Sequence, residues 1–200
     1  QARNGSTRLH KAGGEVPAEM APEAQAEEAP EMAEGEEDMA RLDGAMNDEV
    51  AAALQKSLVD VLATALIVHQ GHWVAKGVGF HPLHMLLGSI YDTVNDMADP
   101  IAERMSQLDV APAGQPSDVN GSSIKALPGG FVECEQVIRG VSEALDALNV
   151  TLRNAHNDVQ GKDPVTENMF QDWIAVIDKQ IWLLSFNLPM NNGMTATHNK

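Results

Sequence analysis

The sequence predicts an all-α fold, a bundle of four helices with one long crossover between the second and the third. Three observations carry this expectation. Apolar residues recur at helical spacing through four segments from Asn47 onward, a Pro- and Gly-rich stretch separates the second segment from the third, and no alternating strand pattern competes anywhere.

Residues 1–46 precede the bundle. Residues 1–50 hold Arg3, Arg8, Lys11 and Arg41 against thirteen Asp and Glu, a net of −9, with no aromatic side chain. Glu23, Glu27, Glu28, Glu31, Glu34, Glu36, Glu37 and Asp38 set the character of the segment. Such a composition buries too little apolar surface to fold alone, so 1–46 reads as an acidic, Ala/Pro/Glu-rich tail or linker, disordered or loosely helical. The folded domain is expected over 47–187, with a C-terminal tail at 188–200.

The first helix is expected from Asn47, a fitting N-cap, to about Val74, with Leu54, Leu58, Leu62, Leu66 and His69 at helical intervals. Lys76-Gly77-Val78-Gly79 breaks it. The second runs from Pro82 to about Leu108 on Leu83, Leu86, Leu87, Ile90, Val94, Met97 and Ile101, with Pro82 suited to its first turn. Pro100 lies inside this helix and removes a backbone donor, which predicts a bend. Residues 109–130, with Pro112, Gly114, Pro116, Gly121, Pro128, Gly129 and Gly130, form the crossover, with one short helical turn expected around Ser122 to Ala126. The third helix is expected from Phe131 to Val159. After the turn Gly161-Lys162-Asp163-Pro164, the fourth follows from Val165 to Phe186 on Met169, Trp173, Ile177, Ile181 and Leu184.

A formal net charge of −16 disfavours tight nucleic-acid binding, which depends on Lys and Arg neutralising phosphate. The single cysteine, Cys134, excludes an internal disulfide, fits a reducing compartment and reads as a small buried residue. The apolar run Val61 to Val68 is too short to span a bilayer, and the N-terminus lacks the apolar core of a signal peptide. The expectation is therefore a soluble, unexported, cytoplasmic chain. Its start at Gln1 reads as a processed product or a piece of a longer polypeptide.

Metal-capable side chains gather in the middle of the chain. His69, His72, His81 and His84 lie around the first helix–helix turn, and Asp92, Asp96, Asp99 and Glu103 follow at spacings of four, three and four. Asp99 and Glu103 share one helical face a turn apart, which offers two carboxylates to one ion or else makes an acidic solvated face. Imidazole and carboxylate together suit iron, zinc or manganese. Asp158, Asp163 and Glu167, near the start of the fourth helix, can make a patch of negative potential that concentrates cations, or serve as ordinary helix caps.

The string His72-Trp73-Val74-Ala75-Lys76-Gly77-Val78-Gly79-Phe80, then Leu83-His84, then Asp99-Pro100-Ile101-Ala102-Glu103-Arg104 resembles the Dps family of miniferritins. Arg153-Asn154-Ala155-His156, Asp163-Pro164-Val165-Thr166 and Asp172-Trp173-Ile174 through Trp182-Leu183-Leu184 are similar to that family's closing segment. The resemblance implies a ferritin-like bundle assembled into a homo-oligomeric shell of twelve subunits. It implies a ferroxidase that consumes Fe(II) with hydrogen peroxide, stores ferric mineral and protects against oxidative stress. Its centre, di-iron or mono-iron, would lie at the two-fold interface, with His72 and His84 from one subunit and Asp99 and Glu103 from the partner. Trp73 would be the aromatic neighbour, either quenching radicals or packing the interface.

One position departs from the family pattern. A carboxylate usually stands four residues after the second His, and this chain has Gly88. Either one metal position is weakened, or Asp92 or His81 supplies the contact; a Gly in mid-helix also calls for a bulky neighbour or room for a metal or water. The second reading is a Dps-like structural or interaction module with an impaired centre, carried on the acidic linker of a larger protein or assembly. Family members that bind DNA commonly do so through a Lys-rich tail, and this acidic segment instead implies weak or no DNA binding.

Overall fold

A computed structural model of the chain describes residues 34–189, with side chains from Asn47 onward. Residues 1–33 and 190–200, most of the acidic segment and of the C-terminal tail, lie outside the described residues. The elements in chain order are α1 (Glu34–Val74), β1 (Ala75–Lys76), α2 (Phe80–Asn95), α3 (Ala98–Gln107), α4 (Pro116–Val119), β2 (Val132–Glu133), α5 (Cys134–Val159) and α6 (Pro164–Ser185). The four-helix bundle consists of α1, the pair α2 and α3, α5 and α6. Helix α1 packs against α2, α3 and α5, and α5 against α6.

The core is the apolar stripe that each helix turns inward. Leu54, Leu58, Val61 and Val68 of α1 meet Leu87, Ile90 and Val94 of α2, Ile101 and Met105 of α3, Leu145, Leu148 and Leu152 of α5, and Phe170, Ile177 and Leu184 of α6. Each such side chain contributes roughly 1.5–3 kcal/mol by leaving water. The stretch Asn47–Val74 is long and apolar enough to cross a bilayer by length and composition. Its apolar stripe is instead spent in the bundle interior.

Four details differ from the sequence-based expectation. Helix α1 runs back to Glu34 rather than starting at Asn47. The second helix is two: α2 closes with Asp96 N–H donating to Asp92 O at 3.0 Å and Met97 N–H to Val94 O at 3.2 Å, and α3 restarts at Ala98. Pro100 therefore lies in a first turn, where a missing N–H leaves no helical bond unmade, and the chain breaks before it instead of bending at it. The short helix of the crossover is at Pro116–Val119, where Pro116 opens it and the Asp118 carboxylate accepts from Gln115 N–H at 2.8 Å. Residues 122–126 are not helical because the Ser122 hydroxyl accepts from Ile124 N–H at 3.2 Å, a local bond that competes with a helical turn. Finally, β1 and β2 form a two-residue parallel pair, Ala75 with Val132 and Lys76 with Glu133, and α5 starts at Cys134. Cys134 is buried in the core, and burial first, then the neighbouring Glu133 charge, push its thiol pKa up.

The crossover is tied down by polar contacts. The Gln55 side chain exchanges both hydrogen bonds with the Ala113 backbone, at 2.7 and 2.8 Å. Asp60, buried on α1, accepts from Ser122 Oγ at 2.7 Å, Thr151 Oγ1 at 2.7 Å and Lys56 Nζ at 2.9 Å, which joins α1, the crossover and α5 at one carboxylate. Burial opposes its ionisation, but these three donors and the Lys56 charge outweigh that and hold Asp60 below the usual carboxylate range.

Candidate metal centre

His72 stands in the last turn of α1 and His84 near the start of α2, with the positive-φ glycines Gly77 and Gly79 folding the chain back between them. The two rings stack at 3.7 Å between centroids and 23° between planes. Their hydrogen bonds cross: His72 Nδ1 to His84 O at 2.8 Å, and His84 Nδ1 to His72 O at 2.9 Å. A carbonyl only accepts, so each Nδ1 must carry the hydrogen, and in the neutral ring each Nε2 keeps an open lone pair. An imidazole that binds metal through Nε2 has this tautomer, and an orienting acceptor on Nδ1–H is its usual companion.

Gly88 lies directly beneath this pair. A Cβ at that position would stand 3.3 Å from His72 Cε1 and 3.5 Å from His72 Nδ1, so the bulky neighbour that the glycine accommodates is the imidazole itself. On the far side of the pair, His69 stacks on Tyr91 at 3.9 Å and 19° and touches Trp73 at 4.1 Å. Tyr91 escaped the sequence reading. The signal was present, since positions 84, 88 and 91 share the face of α2 that meets 69 and 72 on α1.

Asp99 and Glu103 are exposed on α3, held outward because Ile101 and Met105 occupy its buried side. Arg104 locks that helix by donating to Thr166 Oγ1 at 3.1 Å, Gln107 Oε1 at 3.0 Å and Asp163 Oδ2 at 2.6 Å. Asp92 and His81 are exposed as well. Among the described residues of one chain, no three His, Cys, Asp or Glu come together as a metal-sized group. The imidazole pair between α1 and α2 and the carboxylates of α3 therefore do not join into such a group within one chain.

At the turn between α5 and α6, Asp163 caps α6 by accepting from Val165 N–H at 3.1 Å, and it also accepts from the Thr166 hydroxyl. Burial opposes its charge, but hydrogen bonds from Arg104 and Thr166, the guanidinium charge and Val165 N–H hold it below the usual carboxylate range. Glu167 accepts from Gly161 N–H at 3.2 Å and lies 3.9 Å from His156 Nε2. Asp158 is exposed, and its backbone carbonyl accepts from Lys162 Nζ at 2.6 Å.

The Ferritin-like domain family matches residues 51–188. A protein from Deinococcus radiodurans named DNA protection during starvation protein 2 is 30% identical over 131 residues, covering 65% of this chain and 54% of its own length. The chain thus spans about half of that relative. The crystal structure of Dps92 from Deinococcus radiodurans is similar with a TM-score of 0.70 and 28% identity, covering 74% of this chain and 90% of that one. The chain belongs to the Dps family of ferritin-like proteins. The structure of Dps from Microbacterium arborescens in the high iron form is also similar, with a TM-score of 0.68 and 25% identity, over 71% of this chain and 93% of that one. Within the Dps fold, the imidazole pair stands where the end of α1 meets the start of α2, and Asp99 and Glu103 stand exposed on α3.

Proposed function

We propose that this chain is a cytoplasmic miniferritin that oxidises Fe(II) with hydrogen peroxide and stores the ferric product inside a twelve-subunit shell. The observation that carries the proposal is the crossed imidazole pair, in which both rings are locked with Nε2 open. His72 and His84 bind iron without adding negative charge. Asp99 and Glu103 of a second subunit complete the centre, bridging and offsetting the cationic charge as the metal is oxidised. Zn(II) suits the same donors and competes for them.

Exposed apolar side chains support an interface on these helices. Leu66 and Trp73 of α1 are 61% and 58% exposed, and Met85 of α2 is 61% exposed. Such side chains grouped beside the imidazole pair favour burial against another copy. Asp158 and Glu167 add negative potential that draws cations toward the shell, whereas Asp163 is ion-paired to Arg104 and serves as the α6 cap. Duplex DNA is bound weakly or not at all by a chain of net charge −16.

The test is anaerobic Fe(II) titration followed by peroxide. Oxidation well above the buffer rate, lost in His72→Ala and His84→Ala, is the expected result; a rate no faster than buffer excludes the enzymatic role. Gly88 favours a second reading, a Dps-like structural or interaction module with an impaired centre on an acidic linker. Gly88→Asp separates the two, because a large gain in iron oxidation would mark the native centre as impaired.

A further inference from the structure

From the way residues 109–131 are held, we infer that the crossover is a strap that opens as one unit while the four-helix bundle stays folded, with Leu127 as its latch. The segment contains no buried side chain. Of its apolar residues only Val110, at its start, and Leu127, near its end, pack against the core. Its polar ties to the bundle are the paired bonds between Gln55 and Ala113, the Ser122 hydroxyl on Asp60, and the largely exposed Lys125–Glu143 pair at 3.6 Å. A segment with so little buried apolar surface opens well below the free energy of global unfolding, and such openings come in contiguous cooperative blocks. The hydrogen bonds between Gln115 and Ile124 close within the crossover, and a single helical turn such as α4 does not persist alone, so they are lost when the strap lifts.

Two glycines build the latch. Leu127 sits in a notch between α1 and α5, with Cδ1 3.3 Å from where a Gly71 Cβ would stand and Cδ2 overlapping the place of a Gly140 Cβ. Both glycines lie in long helices, where that residue is unfavourable, and Leu127 is the side chain they have in common. Closed, the strap lays Gly114 over Leu62 and Leu58 and makes α4 one wall of a groove of about 490 Å³ that Leu66 and Tyr91 also line. Opening removes that wall and frees the Asp60 carboxylate from Ser122, yet leaves the apolar stripes of the helices packed together. One face of the subunit is thereby made and unmade without unfolding the molecule.

The experiment is native-state hydrogen exchange of the full chain, read peptide by peptide by mass spectrometry. The amides of 113–124 are expected to share one opening constant, larger than that of α1 or α5. In Leu127→Ala all of them should exchange at least about tenfold faster, as far back as Ala113, with α5 and α6 unchanged, the order that truncating a half-buried leucine sets. Gly140→Ala favours α5 by helix propensity but expels Leu127, so the strap should quicken while α5 does not. The Leu127→Ala/Gly140→Ala chain should open no faster than Leu127→Ala, since both changes undo one contact. Trypsin gives an independent reading: cleavage after Lys125 should rise with the opening constant, and cleavage after Lys76 and Lys162 should not. Acceleration confined to the residues beside position 127, acceleration that spreads through α1 and α5, or additive effects in the double variant would overturn the strap.

Discussion

At Gly88 the missing Cβ lets the His72 ring lie on α2, only 3.3 Å from where that carbon would stand. The glycine costs about 1 kcal/mol of helix propensity relative to Ala, and in exchange the two imidazoles stack and cross their hydrogen bonds. Gly88→Ala adds no ligand and only crowds the ring by a few tenths of an ångström. Disturbing a contact that orients a metal-binding His typically weakens affinity about 10–100-fold, so a loss of at least about tenfold is expected in an anaerobic Fe(II) titration. The imidazoles and carboxylates were legible from residue type and spacing. The helical spacing of 84, 88 and 91 put Tyr91 on the face of the two histidines' helix contact, but its stack on His69 and the His72 ring over Gly88 were not legible, because they depend on how two helix faces meet.

Among the elements, periodicity revealed all four bundle helices because each buries one continuous stripe. Boundaries were harder to read. Pro100 reads from sequence as a bend in one long helix, yet it lies in the first turn of a new one that starts at Ala98, since apolar spacing continues across Asp96 and Met97 and hides the break. The crossover offered little local pattern because its order comes from distant partners. Asp60 is the clearest case: Asp60→Ala strands the buried hydroxyl of Thr151 and the half-buried hydroxyl of Ser122, and a loss of about 3 kcal/mol is expected in urea unfolding. Asp163, which joins α6 to Arg104 of α3, should give a pH signature. Its folded pKa is depressed below the unfolded value of about 4, so its stabilisation is complete above that pH and is lost as pH falls through the folded value. In thermal melts across the acid range, Asp163→Asn should be less stable than native at neutral pH and converge with it at low pH. A constant gap at all pH values would contradict that role.

For the whole molecule, the net charge of −16 and the proposed sharing of the centre between subunits have separate consequences. In a gel shift at low salt, no retention of duplex DNA at submicromolar protein is expected; retention would show that local cations override the global charge. In the proposed centre, activity is a property of assembly, because the described residues of one chain bring no three potential ligands together. Co-expression of two inactive variants tests this most directly. A His72→Ala/His84→Ala chain and an Asp99→Ala/Glu103→Ala chain are each expected to be silent in peroxide-driven Fe(II) oxidation. Random two-fold pairing gives one intact centre in half of the dimers, so about a quarter of native activity should return in the mixed assembly. Recovery at that level is the result expected if His72 and His84 of one subunit work with Asp99 and Glu103 of its partner, and mixed assemblies as silent as either parent would contradict a centre shared between chains.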